Sequence, residues 1–370
     1  MMEGYPGLNK LLSQCGRLII VTGTCGKSTT THLLAQILHR SGRPTVRNRD
    51  GSNICSWVFK TLAGAGDLRK KDAVIEFDED SLVKVGIPAP CLVVVTNLSE
   101  DQFVRRRSPK ELADRLARVF SAAHPQARFV ANADDPLVMA AMAGVMGRTA
   151  FFGRSPLAST RLTDLSLRGT GGLTADMSVG GRHFRVSTPL PGEHNALNVL
   201  AAVAAAADLR VPSDSILVAV ADARKMPGRS EAGTAFCRRV FWSMVQNPSG
   251  FASVLDMIHT SDPEPPLAWL VDNSSPEFRK GHWAGRVGLG RLRGRKSPVW
   301  LAGNNADLAA RNLQRHGIPF RLVSLRDLEA GVRAAAEATP HGRVLQVLMS
   351  YNAMMRVFIR IGKNLDPGPP

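Results

Sequence analysis

Short, unbroken apolar runs alternate along the chain with longer stretches in which apolar residues recur every three or four positions. Leu18-Ile19-Ile20-Val21, Ala73-Val74-Ile75-Glu76-Phe77, Leu92 to Thr96, Arg128-Phe129-Val130-Ala131 and Ala150-Phe151-Phe152 are runs of the first kind. They predict strands buried on both faces of a parallel sheet. From Thr30 onward, Leu33, Leu34, Ile37 and Leu38 line one helical face, and Ser41-Gly42 supplies the stop. Leu112, Leu116 and Val119 mark a second helix within Pro109 to Ala122, and Ala196 to Ala207 is a third. Strand and helix in alternation predict an α/β fold, a doubly wound parallel sheet. A second α/β series begins near Phe241. Its strands are Leu267 to Val271, Val299-Trp300-Leu301, Phe320 to Val323 and Val344 to Leu348, and its helices Ala306 to Gln314 and Leu325 to Ala338. The pattern therefore predicts a first domain over 1–232 and a smaller, Rossmann-like α/β domain over 233–362, divided just after Met226-Pro227-Gly228. Weak alternation in the Gly/Ser/Thr-rich stretch 153–190 predicts a loop or hairpin insertion, and 363–370 reads as a frayed tail.

Composition narrows the class. Of 370 residues, 44% are hydrophobic and 21% charged, the balance of a soluble globular protein with a full core. That excludes a disordered chain, a fibrous repeat and a small disulfide scaffold. No apolar run reaches the roughly 18 residues a membrane helix needs. Nor does the N-terminus have a signal-peptide pattern, so a cytoplasmic protein is expected. Forty-seven Lys and Arg against 31 Asp and Glu give a net charge of +16, which favours anionic ligands. The basic residues are scattered, with short clusters at Arg105-Arg106-Arg107 and Arg291 to Lys296. With 2 Tyr in the chain there is no stacking platform for single strands, so no nucleic-acid partner is expected. The cysteines (Cys15, Cys25, Cys55, Cys91 and Cys237) are far apart and predict reduced thiols. Cys91 opens an apolar run and reads as a buried small hydrophobe.

The first strand leads into Thr22-Gly23-Thr24-Cys25-Gly26-Lys27-Ser28-Thr29 and then a helix. Strand, glycine turn, Gly-Lys-Ser and helix form the context of a phosphate loop. Glycines let backbone N–H groups curl around phosphates, and the helix N-terminus adds partial positive charge. Lys27 is placed to reach the β- and γ-phosphates, and the Ser28 hydroxyl to hold Mg²⁺. The generic motif has Gly where Val21 stands. Three later strands also end in polar clusters: Glu76-Phe77-Asp78-Glu79-Asp80, Thr96-Asn97-Leu98-Ser99-Glu100-Asp101-Gln102 and Asn132-Ala133-Asp134-Asp135-Pro136. Ligands of open α/β sheets bind at strand carboxyl ends. Acids beside a phosphate loop point to Mg²⁺ ligation at Glu76, with Glu79 and Asp80 read as a solvated acidic turn.

These segments, with Gly192-Glu193-His194-Asn195-Ala196-Leu197-Asn198 and Pro227-Gly228-Arg229-Ser230-Glu231, resemble the Mur ligase superfamily in the superfamily's own order. Within it, Asn48-Arg49-Asp50-Gly51-Ser52-Asn53, Asn247-Pro248-Ser249-Gly250-Phe251 and Ser350-Tyr351-Asn352-Ala353-Met354 resemble the MurT type, the ATP-dependent subunit of lipid II isoglutaminyl synthase. The similarity runs from about Leu18 to Val357. It implies an ATP-dependent carboxylate–amine ligase whose acid is a peptidoglycan-precursor D-glutamate, amidated with ammonia from a glutaminase subunit, or another small-molecule acid.

The resemblance also implies roles. Gly23, Thr24, Cys25, Gly26, Lys27, Ser28 and Thr29 would hold the ATP phosphates, and Ser28 and Glu76 the Mg²⁺. His194, Asn195 and Asn198 would lie near the adenine, Asn247 near the ribose, and Arg229 at the departing γ-phosphate, so that Lys27, Glu76 and Arg229 carry the chemistry. Two departures bear on the finer assignment. MurT-type chains carry a four-cysteine zinc ribbon, whereas 153–193 has no cysteine, so no structural zinc is expected. The acid that completes the glutaminase's Cys–His pair has no match in Arg279 to Arg286, where Asp272 or Glu277 is nearest, and Val104 replaces another family acid. Three readings stand: an active ligase, a nucleotide-binding scaffold that has lost the reaction, and a basic nucleic-acid-dependent ATPase.

Overall fold

The computed structural model describes residues 6–48, 53–87, 89–99, 108–262, 264–272 and 283–361. Outside them lie Arg49 to Ser52, Glu100 to Arg107 with Val104, Glu277, Arg279 to His282 and the 363–370 tail. Two sheets organise the described chain. In the first, β1 (Arg17–Thr22), β2 (Thr45–Arg47), β3 (Asp72–Glu76), β4 (Cys91–Val95), β5 (Arg128–Asn132), β6 (Thr149–Gly153), β7 (Thr160–Leu167), β8 (Leu173–Val179) and β9 (Arg182–Thr188) lie in the order β2-β3-β1-β4-β5-β6-β7-β8-β9. Strands β1 to β7 pair in parallel, and β7-β8-β9 form an antiparallel meander at one edge.

Alternation within the strands explains the two-sided packing. Ile19 and Val21 of β1 point to one face, and Leu18 and Ile20 to the other. The first face is covered by α2 (Lys27–Arg40), α7 (Glu193–Asp208) and α8 (Ser213–Ala221). Alanines 201, 202, 204, 205 and 206 let α7 pack closely on α2 and the sheet. The other face carries α1 (Pro6–Ser13), α3 (Cys55–Ala63), α4 (Glu79–Val85), α5 (Pro109–Ser121) and α6 (Pro136–Met142). A Ser108–Glu111 capping box starts α5, and Asp135 caps α6.

The second sheet contains β10 (Arg229–Ala235), β11 (Arg238–Met244), β12 (Leu267–Leu270), β13 (Val299–Ala302), β14 (Phe320–Ser324) and β15 (Val344–Met349), ordered β10-β11-β15-β12-β13-β14. All pairs are parallel except the β10–β11 hairpin. Its faces are covered by α9 (Pro248–Ser261) and α10 (Ala306–Arg315) on one side, and by α11 (Leu328–Glu337) and α12 (Tyr351–Arg360) on the other.

Three expectations differ from this architecture. The helix expected from Thr30 begins at Lys27, because the phosphate loop feeds straight into it. Of the loop or hairpin expected at 153–190, the hairpin forms, but it is built into the main sheet as β7-β8-β9 and not inserted apart from it: its weak alternation reflects edge strands with one wet face. The expected division at 232/233 falls inside β10, whose pairing with β11 assigns it wholly to the second sheet.

Candidate active site

The carboxyl ends of β1, β3, β4 and β5 open onto a cleft of about 510 Å³ between the two sheets. Thr24 to Thr29, Glu76, His194, Asn195, Asn198, Arg229 and Asn247 line it together. Gly23 stands behind the loop, where its carbonyl accepts from Lys27 Nζ. Residues from five separate stretches of sequence thus meet in one place.

The loop is held rigidly from below. Cys25 N donates to Asn97 Oδ1 at 2.9 Å, and Asn97 Nδ2 donates to Cys25 O at 3.0 Å. Thr96 Oγ1 donates to the same carbonyl at 2.7 Å. Gly26 has φ +84°, and a Cβ there would collide with the Asn198 side-chain oxygen. Only glycine combines that backbone with that approach. The loop then opens α2 with no side-chain cap, the first helical bond being Thr30 N to Gly26 O. An uncapped helix N-terminus in a cleft suits an anionic phosphate, through its first-turn backbone amides and the helix dipole together.

Three charged groups surround the loop. Lys27 is buried, donates to Gly23 O and to Thr24 O (3.2 Å), and pairs with Glu79 at 3.5 Å. Arg229 reaches across from β10 to donate to Ser28 Oγ at 3.0 Å. Glu76, at the end of β3, is buried and fixed by two asparagines: Asn53 Nδ2 donates to its Oε1 at 2.9 Å, while Asn48 brackets its backbone with two 2.8 Å bonds. A hydroxyl and a carboxylate facing one cleft match the hard oxygen donors Mg²⁺ takes. Glu79 Oε1 is buried without a hydrogen-bond partner on the same wall and offers a further oxygen.

The acidic runs separate by role. Glu79, expected in a solvated turn, is buried against Lys27, because α4 turns it inward. Asp78 caps α4 through the Asp80 and Ser81 amides, and Asp80 pairs with Arg115 at 2.8 Å. Asp134 accepts from Arg154 N and Ser155 N, and Asp135 Oδ2 accepts from Leu98 N. These carboxylates brace loops.

The second unit closes over the loop at Asn247 and Ser249. Asn247 Nδ2 donates to Cys25 Sγ at 3.3 Å, and the Ser99 and Ser249 hydroxyls lie 3.1 Å apart. His194 contributes a ring whose Nδ1 is buried without a partner. Burial, reinforced by Arg229, pushes its pKa down to about 4, so it is neutral at pH 7. Asn195 donates to Pro191 O at 2.7 Å and accepts from Asn198 Nδ2 at 3.1 Å. Sequence reasoning missed the Asn48–Asn53 clamp as a support for Glu76, and missed Ser249 and Ser99 as a latch. No local periodicity marks contacts between residues 150 apart.

A family model, the Mur ligase middle domain, matches residues 21–206, which carry the phosphate loop, Glu76 and the His194–Asn198 segment. The chain belongs to the Mur ligase family. UDP-N-acetylmuramate–L-alanine ligase of Azorhizobium caulinodans is 33% identical over 223 residues, covering 57% of this chain and 46% of that protein. The chain thus spans about half the length of the curated Mur ligases it matches. Among solved structures, MurF from Acinetobacter baumannii superposes with a TM-score of 0.77 at 16% identity, covering 96% of this chain and 78% of that one. Folylpolyglutamate synthase of Mycobacterium tuberculosis, solved with ADP, gives 0.76 at 18% identity, covering 97% and 93%. These likenesses establish the shared two-sheet fold. No helix among the described residues is long and apolar enough to cross a membrane.

Proposed function

We propose that the chain is an ATP- and magnesium-dependent ligase that activates a carboxylate as an acyl phosphate and passes the acyl group to an amine or ammonia. The observation that carries this reading is the bridge from Arg229 to Ser28 at 3.0 Å, which brings a cation from the second sheet onto a phosphate loop of the first. Lys27 stands on the same loop. Two cations on either side of one phosphate position suit phosphoryl transfer, whose transition state spreads negative charge over the phosphoryl oxygens.

Each residue then has a task. Lys27 exchanges its loop carbonyls for phosphate oxygens, and Arg229 exchanges Ser28 for the departing phosphoryl group. Ser28 and Glu76 would hold magnesium, which neutralises phosphate charge when bound; the Asn48–Asn53 clamp keeps the Glu76 carboxylate aimed. Neutral His194, with Asn195 and Asn198, forms the wall for an uncharged base. Asn247 and Ser249 seal the loop against water, which would otherwise hydrolyse an acyl phosphate.

Among Mur-type ligases the MurT type is the nearest fit, supported by the Asn48 and Asn53 clamp and by Asn247 and Ser249 at the loop. Of the two acids nearest the glutaminase-completing position, Asp272 does not suit that role, being fully buried with its Oδ2 held by Arg356 at 2.5 Å, and Glu277 lies outside the described residues. The acid is a peptidoglycan precursor or another acid of small-molecule metabolism. Incubation with magnesium-ATP, candidate acids and hydroxylamine tests the proposal. ADP and a hydroxamate should form together with the right acid. ATP binding without ADP for any acid would favour the scaffold reading instead.

A further inference from the structure

The cleft continues past the phosphate loop along α2. One turn beyond Ser28, on the same helical face, His32 lines it with 2% of its surface exposed, and neither ring nitrogen has a hydrogen-bond partner. The next position on that face, Gln36, is fully engaged. Its Nε2 donates to Asp222 O at 2.9 Å, and its Oε1 accepts from Arg224 N at 3.4 Å. Ser28 is engaged as well, by Arg229. The stripe Ser28–His32–Gln36 is therefore satisfied at both ends and unsatisfied in the middle.

Two cations act on His32 from different elements: Arg47 at the end of β2, and Arg224 in the segment joining α8 to β10. Glu76 faces the same cleft from β3. Burial, with these two arginines, holds the imidazole neutral at pH 7. Leucine would fill the space without desolvating two ring nitrogens, so an orphaned histidine is costly unless a ligand completes it.

We propose that His32, beside Arg47 and Arg224, forms a subsite for a second anionic group of the acid substrate, a carboxylate or phosphate oxygen that accepts the imidazole N–H. This rests on the ligase reading and narrows its substrate class to acids that carry two anionic groups. Four residues along α2 separate His32 from Ser28 by about 6 Å. That is the span of a glutarate-like acid whose first carboxylate lies at the phosphate position and whose second group reaches the recess. The arginines supply charge, and the neutral ring supplies a directed donor.

Calorimetry on the full chain, saturated with magnesium and a non-hydrolysable ATP analogue, tests it with glutarate, phosphonobutyrate and butyrate. Glutarate or phosphonobutyrate should bind at least about tenfold more tightly than butyrate, the worth of one good hydrogen bond; the tighter of the two tells carboxylate from phosphate. His32→Leu should remove most of the preference, leaving what the arginines' charge contributes, and His32→Gln, which retains a donor, should keep more of it. Equal affinity for all three acids in the unaltered chain, or a preference that His32→Leu leaves undiminished, overturns the proposal. Failure of the nucleotide analogue to bind would sink the ligase reading by itself, and the acid preference can still be read in its absence.

Discussion

Replacing Lys27 by alanine should damage the fold as well as the reaction, and the two effects can be separated. The Lys27 ammonium lies 3.5 Å from a Glu79 carboxylate that is 2% exposed. At an effective dielectric near 20, that separation corresponds to roughly 5 kcal/mol of attraction, offset by desolvation of both groups. Removing one partner of such a buried pair costs ~3–5 kcal/mol, because the other charge stays buried and uncompensated. Lys27→Ala should therefore lower the urea midpoint, followed by circular dichroism without nucleotide, and loosen the α2 amides in hydrogen exchange. Adding Glu79→Gln removes the stranded charge and should return about half of the loss or more. Magnesium-ATP binding, by contrast, should be lost in both variants, since neither has the ammonium. Equal stability of the original chain and Lys27→Ala would refute the reasoning. So would a double variant no more stable than the single one.

Other outcomes follow from the same geometry. Gly26→Ala forces a β-carbon into a left-handed backbone and against Asn198, so it should cost ~2–4 kcal/mol, read as a lower melting temperature; a melting temperature that does not move would show that the loop relaxes freely. Arg229→Met should lower kcat for ADP formation by about 10²–10³-fold while changing nucleotide affinity far less, as stopped-flow and calorimetry would show. His32 titrates near 6.5 when unfolded but about 4 in the fold. The unfolded chain therefore binds the extra proton between those values. His194 shifts in the same way, so stability should be level above pH 6.5 and fall as pH drops towards 4 by up to ~3 kcal/mol for each histidine, and His32→Leu should remove about half of that slope in urea titrations.

The sequence by itself determined the sheet strands that run through the core, because a strand buried on both faces must be apolar at nearly every position, as Leu18 to Val21 and Cys91 to Val95 are. It also determined the phosphate loop, since Gly23, Gly26, Lys27 and Ser28 are neighbours in the chain and their chemistry needs no distant partner. Segments with weaker local patterns, such as the edge strands of 153–190, read only as a loop or hairpin, because one wet face dilutes the alternation. What only the tertiary structure decided is which polar residues act and which brace. Glu79 turned from a solvated acid into the buried partner of Lys27, Asp134 and Asp135 into loop supports, and Asp272 into a buried carboxylate paired with the half-exposed Arg356. The physical reason is that a side chain's charge, burial and aim depend on whatever packs against it. In this molecule those neighbours, Arg229 to Ser28 and Asn247 to Cys25, come from residues about 200 positions away.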